Sequence, residues 1–358
     1  MKQKQRIVFF SLSLRKGGAE NQLTKLALFL QKTTNFDVSI VHFVKGNDFK
    51  DILLSNNIEF RRFSIKKPGE LIGFIRFIAK FRPNLIISFM FGANMLARFV
   101  KLFYRIPLIT SVRNNEISTL YRFLYRWTYK LDNTTTFNSQ FALDKFIQKR
   151  LTSPKKSVLI NNAISIFTKD YVERKNDIFT MVSVAHFRPQ KDYRTLFEAV
   201  SLLRGENIEV KLFVLGHLFH NAWPNEVIER LGIGDQVEIV GFTNETTKYL
   251  EEADVLVLSS LWEGTPNAIL EGMANYLPVV ATDIPGVAEL VNAAQCGLLF
   301  QPQNPVDLKE KIIEMINCPR DQRESFALSG YKYVIENYED QKVYSNWKNI
   351  VNSVLSEK

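Results

Sequence analysis

The chain is 358 residues long and 46 % apolar, enough for two domains of ordinary size, and its formal net charge is +9. No apolar run reaches the length that spans a bilayer, and the polar start MKQKQR leads straight into a strand, so neither a transmembrane helix nor a signal peptide is expected. Two cysteines, Cys296 and Cys318, supply neither a disulfide framework nor metal-ligand spacing, which points to a reducing cytoplasm.

The charge is divided unevenly. Residues 1–165 carry 28 Lys and Arg against 9 Asp and Glu, a balance of +19, whereas residues 166–358 carry 18 against 28, a balance of −10. A basic half joined to an acidic half implies two surfaces with different partners.

In chain order, residues 7–11 predict a first strand. The loop Arg15-Lys16-Gly17-Gly18-Ala19-Glu20 and a helix over 21–31 follow. Paired glycines between a strand and a helix let the backbone approach a ligand closely, so Gly17 and Gly18 are candidate binding residues. Strands are expected at 38–44, 85–89 and 107–112, with Phe137-Asn138 ending another, and helical segments separate them. That is the βαβ pattern of a doubly wound parallel sheet. Polar residues 168–177 read as a linker. A second α/β unit then opens, with strands at 179–184, 210–215, 237–240, 255–258 and 279–281, a helix at 193–203, and a last helix at 338–355. Two basic, amphipathic stretches stand out in the first half, 71–81 with Arg76 and Lys80, and 121–130 with Arg122, Arg126 and Lys130 at i, i+4 spacing. Both suit helices lying on an anionic membrane, or else sheet-covering helices with solvated basic faces. No nucleic-acid-binding motif accompanies the charge, so nucleic acid is not an expected partner.

The most informative stretch runs from Ala253 to Glu271, ADVLVLSSLWEGTPNAILE. A buried β-branched strand ends at Ser259-Ser260. Glu263-Gly264-Thr265-Pro266 make a tight loop, and Asn267 opens a helix that carries Glu271. The N–H groups at such a helix start favour an anion or a hydroxyl-rich ligand, and a carboxylate further along can grip a vicinal diol. The string S-x-x-E-G-x-P-N-x-x-x-E after an apolar strand resembles the E-x7-E signature of retaining glycosyltransferases of GT-B fold, specifically the large GT4 family.

That resemblance implies two Rossmann-like domains facing across a cleft. Residues 1–165 would bind the acceptor, 166–337 the nucleotide-sugar, and a helix at 338–358 would cross back to the first domain. It implies that Glu271 holds the ribose diol and that Glu263 with the backbone of Gly264, Thr265, Pro266 and Asn267 holds donor-sugar hydroxyls. Arg188 and Lys191, two cations three positions apart after a strand end, would hold the diphosphate. Gly216, and Gly241 with Phe242, fall near the family's base pocket, and the Gly17-Gly18 loop matches its GGAE loop. The chain departs from the pattern in three places. Ala185-His186 stands where Gly-Arg is usual, with two residues rather than three between Arg188 and Lys191. The second glycine after Gly216 is missing, and His217-Leu218-Phe219-His220 stands there. Arg113 and Asn114 occupy the place of a donor-touching His; with Asn94 they are candidates for the acceptor or sugar side.

A His217/His220 pair without a carboxylate is a poor metal set, and no D-x-D motif exists, so neither a metal nor another cofactor is expected. The function implied is transfer of a hexose or N-acetylhexosamine from a nucleotide-sugar, UDP-linked in the first instance, to a saccharide acceptor. The basic, aromatic first half suggests an acceptor on a lipid diphosphate, at the inner face of the cell membrane, in surface polysaccharide or glycan assembly. The rivals are a sugar-nucleotide 2-epimerase of the same architecture and a non-catalytic sugar-nucleotide-binding subunit.

Overall fold

The computed structural model describes residues 4–33, 35–113, 117–166, 170–174, 176–219 and 221–357. The chain divides into two compact units, residues 1–163 with 341–358, and residues 164–340.

The first unit holds strands β1 (Gln5–Ser11), β2 (Phe36–His42), β3 (Glu59–Arg62), β4 (Leu85–Phe89), β5 (Leu108–Val112), β6 (Thr134–Phe137) and β7 (Ser157–Leu159). They form one sheet in the order β3-β2-β1-β4-β5-β6-β7, and every pairing is parallel. The central strands are buried throughout, because helices cover both faces of a parallel sheet and β4 and β5 carry no outward polar face. The last helix, Asp340–Ser356, places Val343, Tyr344, Trp347 and Val351 in the same core as Leu23, Ile87 and Ile109.

A second feature of this unit was not expected from the pattern. Arg98, on the helix Phe91–Tyr104, is 1 % exposed and makes a two-pronged ion pair with Asp132, Nε to Oδ1 at 2.9 Å and Nη2 to Oδ2 at 2.6 Å. Thr110 Oγ1 also donates to Asp132, at 2.7 Å, and the guanidinium lies 3.9 Å over the Tyr125 ring.

The second unit holds β8 (Phe179–Val184), β9 (Val210–Leu215), β10 (Val237–Gly241), β11 (Val255–Leu258), β12 (Val279–Thr282) and β13 (Gly297–Phe300), in the order β10-β9-β8-β11-β12-β13, again parallel in every pairing. Two expectations are corrected here. The stretch read as a linker is pinned where it is described: Arg174 donates to the carbonyls of Leu250, Glu251, Asn275 and Tyr276, the last two at 2.7 and 3.1 Å. A guanidinium among the carbonyls that end the helices Thr246–Glu252 and Asn267–Ala274 meets the negative ends of both dipoles. The expected helix at 338–355 is Asp340–Ser356, and a separate helix, Arg320–Tyr338, ends just before it at Glu339. The break lies where Ile164 bridges the chain, its N–H donating to Tyr338 at 2.8 Å and its carbonyl accepting from Asp340 at 3.1 Å. The helix expected over 121–130 is Thr119–Thr128, followed by a 3-10 turn at Tyr129–Leu131 that carries Lys130.

Candidate active site

Sheet order brings the site of the second unit together. β8 lies beside β11 although β9 and β10 intervene in sequence, and this reversal of winding leaves room for a ligand at the carboxyl ends of the strands. The segments leaving β8 and β11 are zipped to each other there. Leu261 N–H donates to the Gln190 carbonyl at 2.7 Å, and Ser259 Oγ donates to the Lys191 carbonyl at 2.8 Å. Across this joint Lys191 forms an ion pair with Glu263, whose Oε1 also accepts from Ser260 Oγ at 2.8 Å. The two side chains keep 18 % and 11 % of their surface, so they are sheltered yet reachable by a ligand. Behind them the buried Tyr193 hydroxyl donates to the Ala185 carbonyl at 2.6 Å, and burial raises its pKa so that it stays a donor.

Gly264, Thr265 and Pro266 are buried in the turn before the helix Asn267–Ala274, on which Glu271 is half-buried. Gly286 lies against this turn with φ +86°, and a Cβ there would sit 2.2 Å from the Gly264 carbonyl. Sequence reading missed Gly286; its signal was the Pro285-Gly286 pair after a strand.

At the neighbouring strand ends, Gly216 N–H donates to Gly241 at 2.8 Å, Ala185 N–H to Leu215 at 2.9 Å and Phe187 N–H to His217 at 2.9 Å. Beyond them lies an aromatic group. His217 stacks on Phe242 at 4.6 Å and 10°, Phe219 lies 5.5 Å from His217, and the Arg188 guanidinium stands 5.6 Å over Phe219. The His217 N–H donates to His186 Nδ1 at 3.1 Å, which fixes that nitrogen as the acceptor. Phe219 and Phe242 are exposed and offer ring faces to a planar ligand. Arg188 thus stands over the aromatic group, and His220 lies outside the described residues. Among the described residues no three His, Cys, Asp or Glu side chains cluster as a metal site would need.

In the first unit Gly18 opens the helix Gly18–Thr33, and Asn21 N–H donates to Gly17 at 2.9 Å. The loop is braced from the β2 side, with Lys16 N–H on Asp48 Oδ2 at 2.8 Å and Arg15 Nε on the Lys45 carbonyl at 3.1 Å. Asn94 does not line a site. It is 0 % exposed, accepts from Ser88 Oγ at 2.6 Å, and donates to the Ser111 carbonyl at 3.1 Å and the Tyr125 hydroxyl at 2.6 Å. A short polar residue after a strand end looks like a ligand group in sequence, but this one ties β4, β5 and a helix together. Arg113 follows β5 and keeps partial exposure, while Asn114 lies outside the described residues.

Two such parallel sheets, each in a Rossmann-like unit, are the fold of the GT-B enzymes. Residues 167–333 match the family of glycosyl transferases group 1, and residues 16–166 match Glycosyltransferase Family 4. The chain belongs to the GT4-like glycosyltransferases of GT-B fold. An uncharacterized glycosyltransferase of Methanocaldococcus jannaschii is 26 % identical over 58 % of this chain and spans only 58 % of its own length in the match. The N-acetylgalactosamine-N,N'-diacetylbacillosaminyl-diphospho-undecaprenol 4-alpha-N-acetylgalactosaminyltransferase of Campylobacter jejuni is 25 % identical over 96 % of this chain and 93 % of its own. Among solved structures, Anabaena HepE in complex with UDP and glucose superposes with a TM-score of 0.81 at 20 % identity, covering 98 % of this chain and 100 % of that one.

Proposed function

We propose that the chain is a retaining transferase that moves a hexose or N-acetylhexosamine from a UDP-sugar to a saccharide acceptor carried on a lipid diphosphate, in surface polysaccharide or glycan assembly. The observation that carries the donor side is the Lys191–Glu263 pair at the β8/β11 switch point, with Glu271 one helical turn past Asn267. In this reading Lys191 turns its remaining N–H groups to the diphosphate, Arg188 adds a second cation, and no metal is required. Glu263 and the backbone of residues 264–267 take the sugar hydroxyls, Glu271 takes the ribose diol, and the base lies against Phe242 beside Gly216 and Gly241. Gly17 and Gly18 are assigned to the donor by their match to the family's GGAE loop alone. The acceptor hydroxyl attacks the face that the nucleotide leaves, and the departing phosphate oxygen takes its proton.

Two findings support the lipid-linked acceptor. The Campylobacter relative is named for a diphospho-undecaprenol substrate. In the first unit the helices Phe91–Tyr104 and Thr119–Thr128 pack together and expose Phe99, Leu102, Phe103, Leu120, Phe123 and Trp127, with Arg126 and Lys130 exposed beside them. Aromatic and aliphatic side chains flanked by cations suit the headgroup boundary of an anionic membrane, and the protein would work peripherally at the inner face of the cell membrane. No helix among the described residues is long and apolar enough to cross a membrane.

The test is transfer from a panel of UDP-sugars to a polyprenyl-diphosphate-linked saccharide in anionic vesicles. The expected product keeps the donor's anomeric configuration, and EDTA leaves the rate unchanged. Glu271→Ala should weaken UDP binding about 10- to 150-fold, from roughly 1.5–3 kcal/mol for a charged hydrogen-bonded contact. Unchanged UDP affinity in folded Glu271→Ala, or activity lost on chelation and restored by Mg²⁺, would refute these assignments.

A further inference from the structure

We propose that Arg113 is a receptor for an anionic group of the substrate, a carboxylate on the transferred sugar or a phosphate on the acceptor. This inference rests on the transferase reading above and deepens it by naming the charge that the first unit recognises.

Arg113 leaves the carboxyl end of β5, and its guanidinium is held on four sides. Nε donates to Ser111 Oγ at 2.8 Å and Nη1 to Asn162 Oδ1 at 2.7 Å. The plane lies 4.7 Å from the Phe89 ring and 5.8 Å from the Trp347 ring. Phe89, Trp347 and Asn162 are themselves 4 % exposed or less, so the cage is rigid.

What the cage lacks among the described residues is a counter-ion. No described Asp or Glu pairs with Arg113, and among the described residues the ionisable group that acts on it is the Tyr344 phenol. Burial lowers its pKa to about 9. The contrast with Arg98 is direct, since that buried guanidinium meets both oxygens of Asp132. A desolvated cation without a partner is costly, and a protein that only needed a bolt between β5 and the last helix would use an apolar side chain. Of the five N–H groups of a guanidinium, two are spent on Ser111 and Asn162. The other three make no hydrogen bond to a described residue, and residual exposure keeps the side chain within reach of a ligand. A planar fork with spare donors matches a carboxylate or phosphate bidentately. The balance of +19 over residues 1–165 draws anions to this unit.

The experiment measures binding to the full chain of two matched pairs, UDP-glucuronic acid against UDP-glucose, and geranyl diphosphate against geraniol. In each pair the members differ chiefly in one anionic group. A preference of about tenfold or more for the charged member is expected in one pair, and which pair shows it distinguishes the sugar carboxylate from the acceptor phosphate. Arg113→Gln should bring that ratio close to one, and Arg113→Lys should restore only part of it. On the parent chain, phenylglyoxal labelling of Arg113, followed by peptide mass spectrometry, should be slowed by the preferred anion and not by its neutral partner; this readout needs no variant to fold. Ratios near one in both pairs, a ratio that survives Arg113→Gln, or labelling that the anion does not slow would each overturn the proposal. Failure of the parent to bind UDP would instead refute the donor reading, because the geranyl pair reads Arg113 without it.

Discussion

Gly216→Ala tests how closely the strand ends of the second unit are stitched. Gly216 has φ +153°, a region essentially confined to glycine, and a Cβ built there would stand 2.0 Å from the Ala185 carbonyl oxygen and 2.9 Å from the His186 nitrogen. Both are backbone atoms, so no side-chain rotation relieves the clash, and β8 must part from β9 at the point where Ala185 N–H meets Leu215 and Phe187 N–H meets His217. Backbone strain of about 1–3 kcal/mol and overpacking of about 1–3 kcal/mol together give a loss of roughly 2–6 kcal/mol. At about 2–4 °C per kcal/mol for a unit of this size, differential scanning calorimetry should show its transition falling by at least roughly 4 °C. The same displacement moves His186 and Arg188, so UDP affinity measured by calorimetry below the transition should fall as well. A variant that melts within about 1 °C of the parent and binds UDP equally well would show that this approach of the strands has no energetic consequence.

In the first unit, Arg98→Ala leaves the Asp132 carboxylate buried beside Thr110 without its cation, and chemical denaturation should show a loss of about 3–5 kcal/mol. The double variant Arg98→Met with Asp132→Leu should recover most of that loss; a double variant as unstable as the single one would mean that lost volume, not the orphaned charge, is responsible. His42 is buried with Nδ1–H donating to the Val44 carbonyl at 3.0 Å, and burial holds its pKa below the ordinary value, with Arg62 adding to the effect. As pH falls below about 6.5 the unfolded chain takes up a proton that the native imidazole refuses, so stability is lost on acidification. Melting temperature should therefore fall less between about pH 7 and pH 5 in His42→Gln than in the parent, and equal slopes would exclude His42 from the acid response.

Strands buried on both faces announce themselves as unbroken apolar runs, which is why β4 and β11 are legible in Leu85–Phe89 and Val255–Leu258. Edge strands do not. β3 is Glu-Phe-Arg-Arg with an exposed or half-exposed pattern, and charge on an edge discourages further pairing, so the same property that protects the sheet hides the strand. β6 shows only its end, Phe137, for the opposite reason, since its Thr135 hydroxyl is spent inside the protein on Asp132 and a threonine run gives no apolar signal. The site follows the same division. Glu263, the Gly264–Pro266 turn and Glu271 straddle one strand–helix joint, so their spacing survives in one dimension. Partners supplied by sheet order do not survive there: Ser259 reaching Lys191, Gly286 against Gly264, and Asp132 beneath Arg98 are separated by 68, 22 and 34 positions. Arg113 is the sharpest case. Its place after β5 is visible in the sequence, but Phe89, Asn162 and Trp347 come from three distant segments, and only their meeting shows a caged guanidinium with no carboxylate among the described residues. A missing counter-ion is a property of neighbours in space, so no spacing of residues along a chain can encode it, and it is at such places that a structure adds chemistry to a family resemblance.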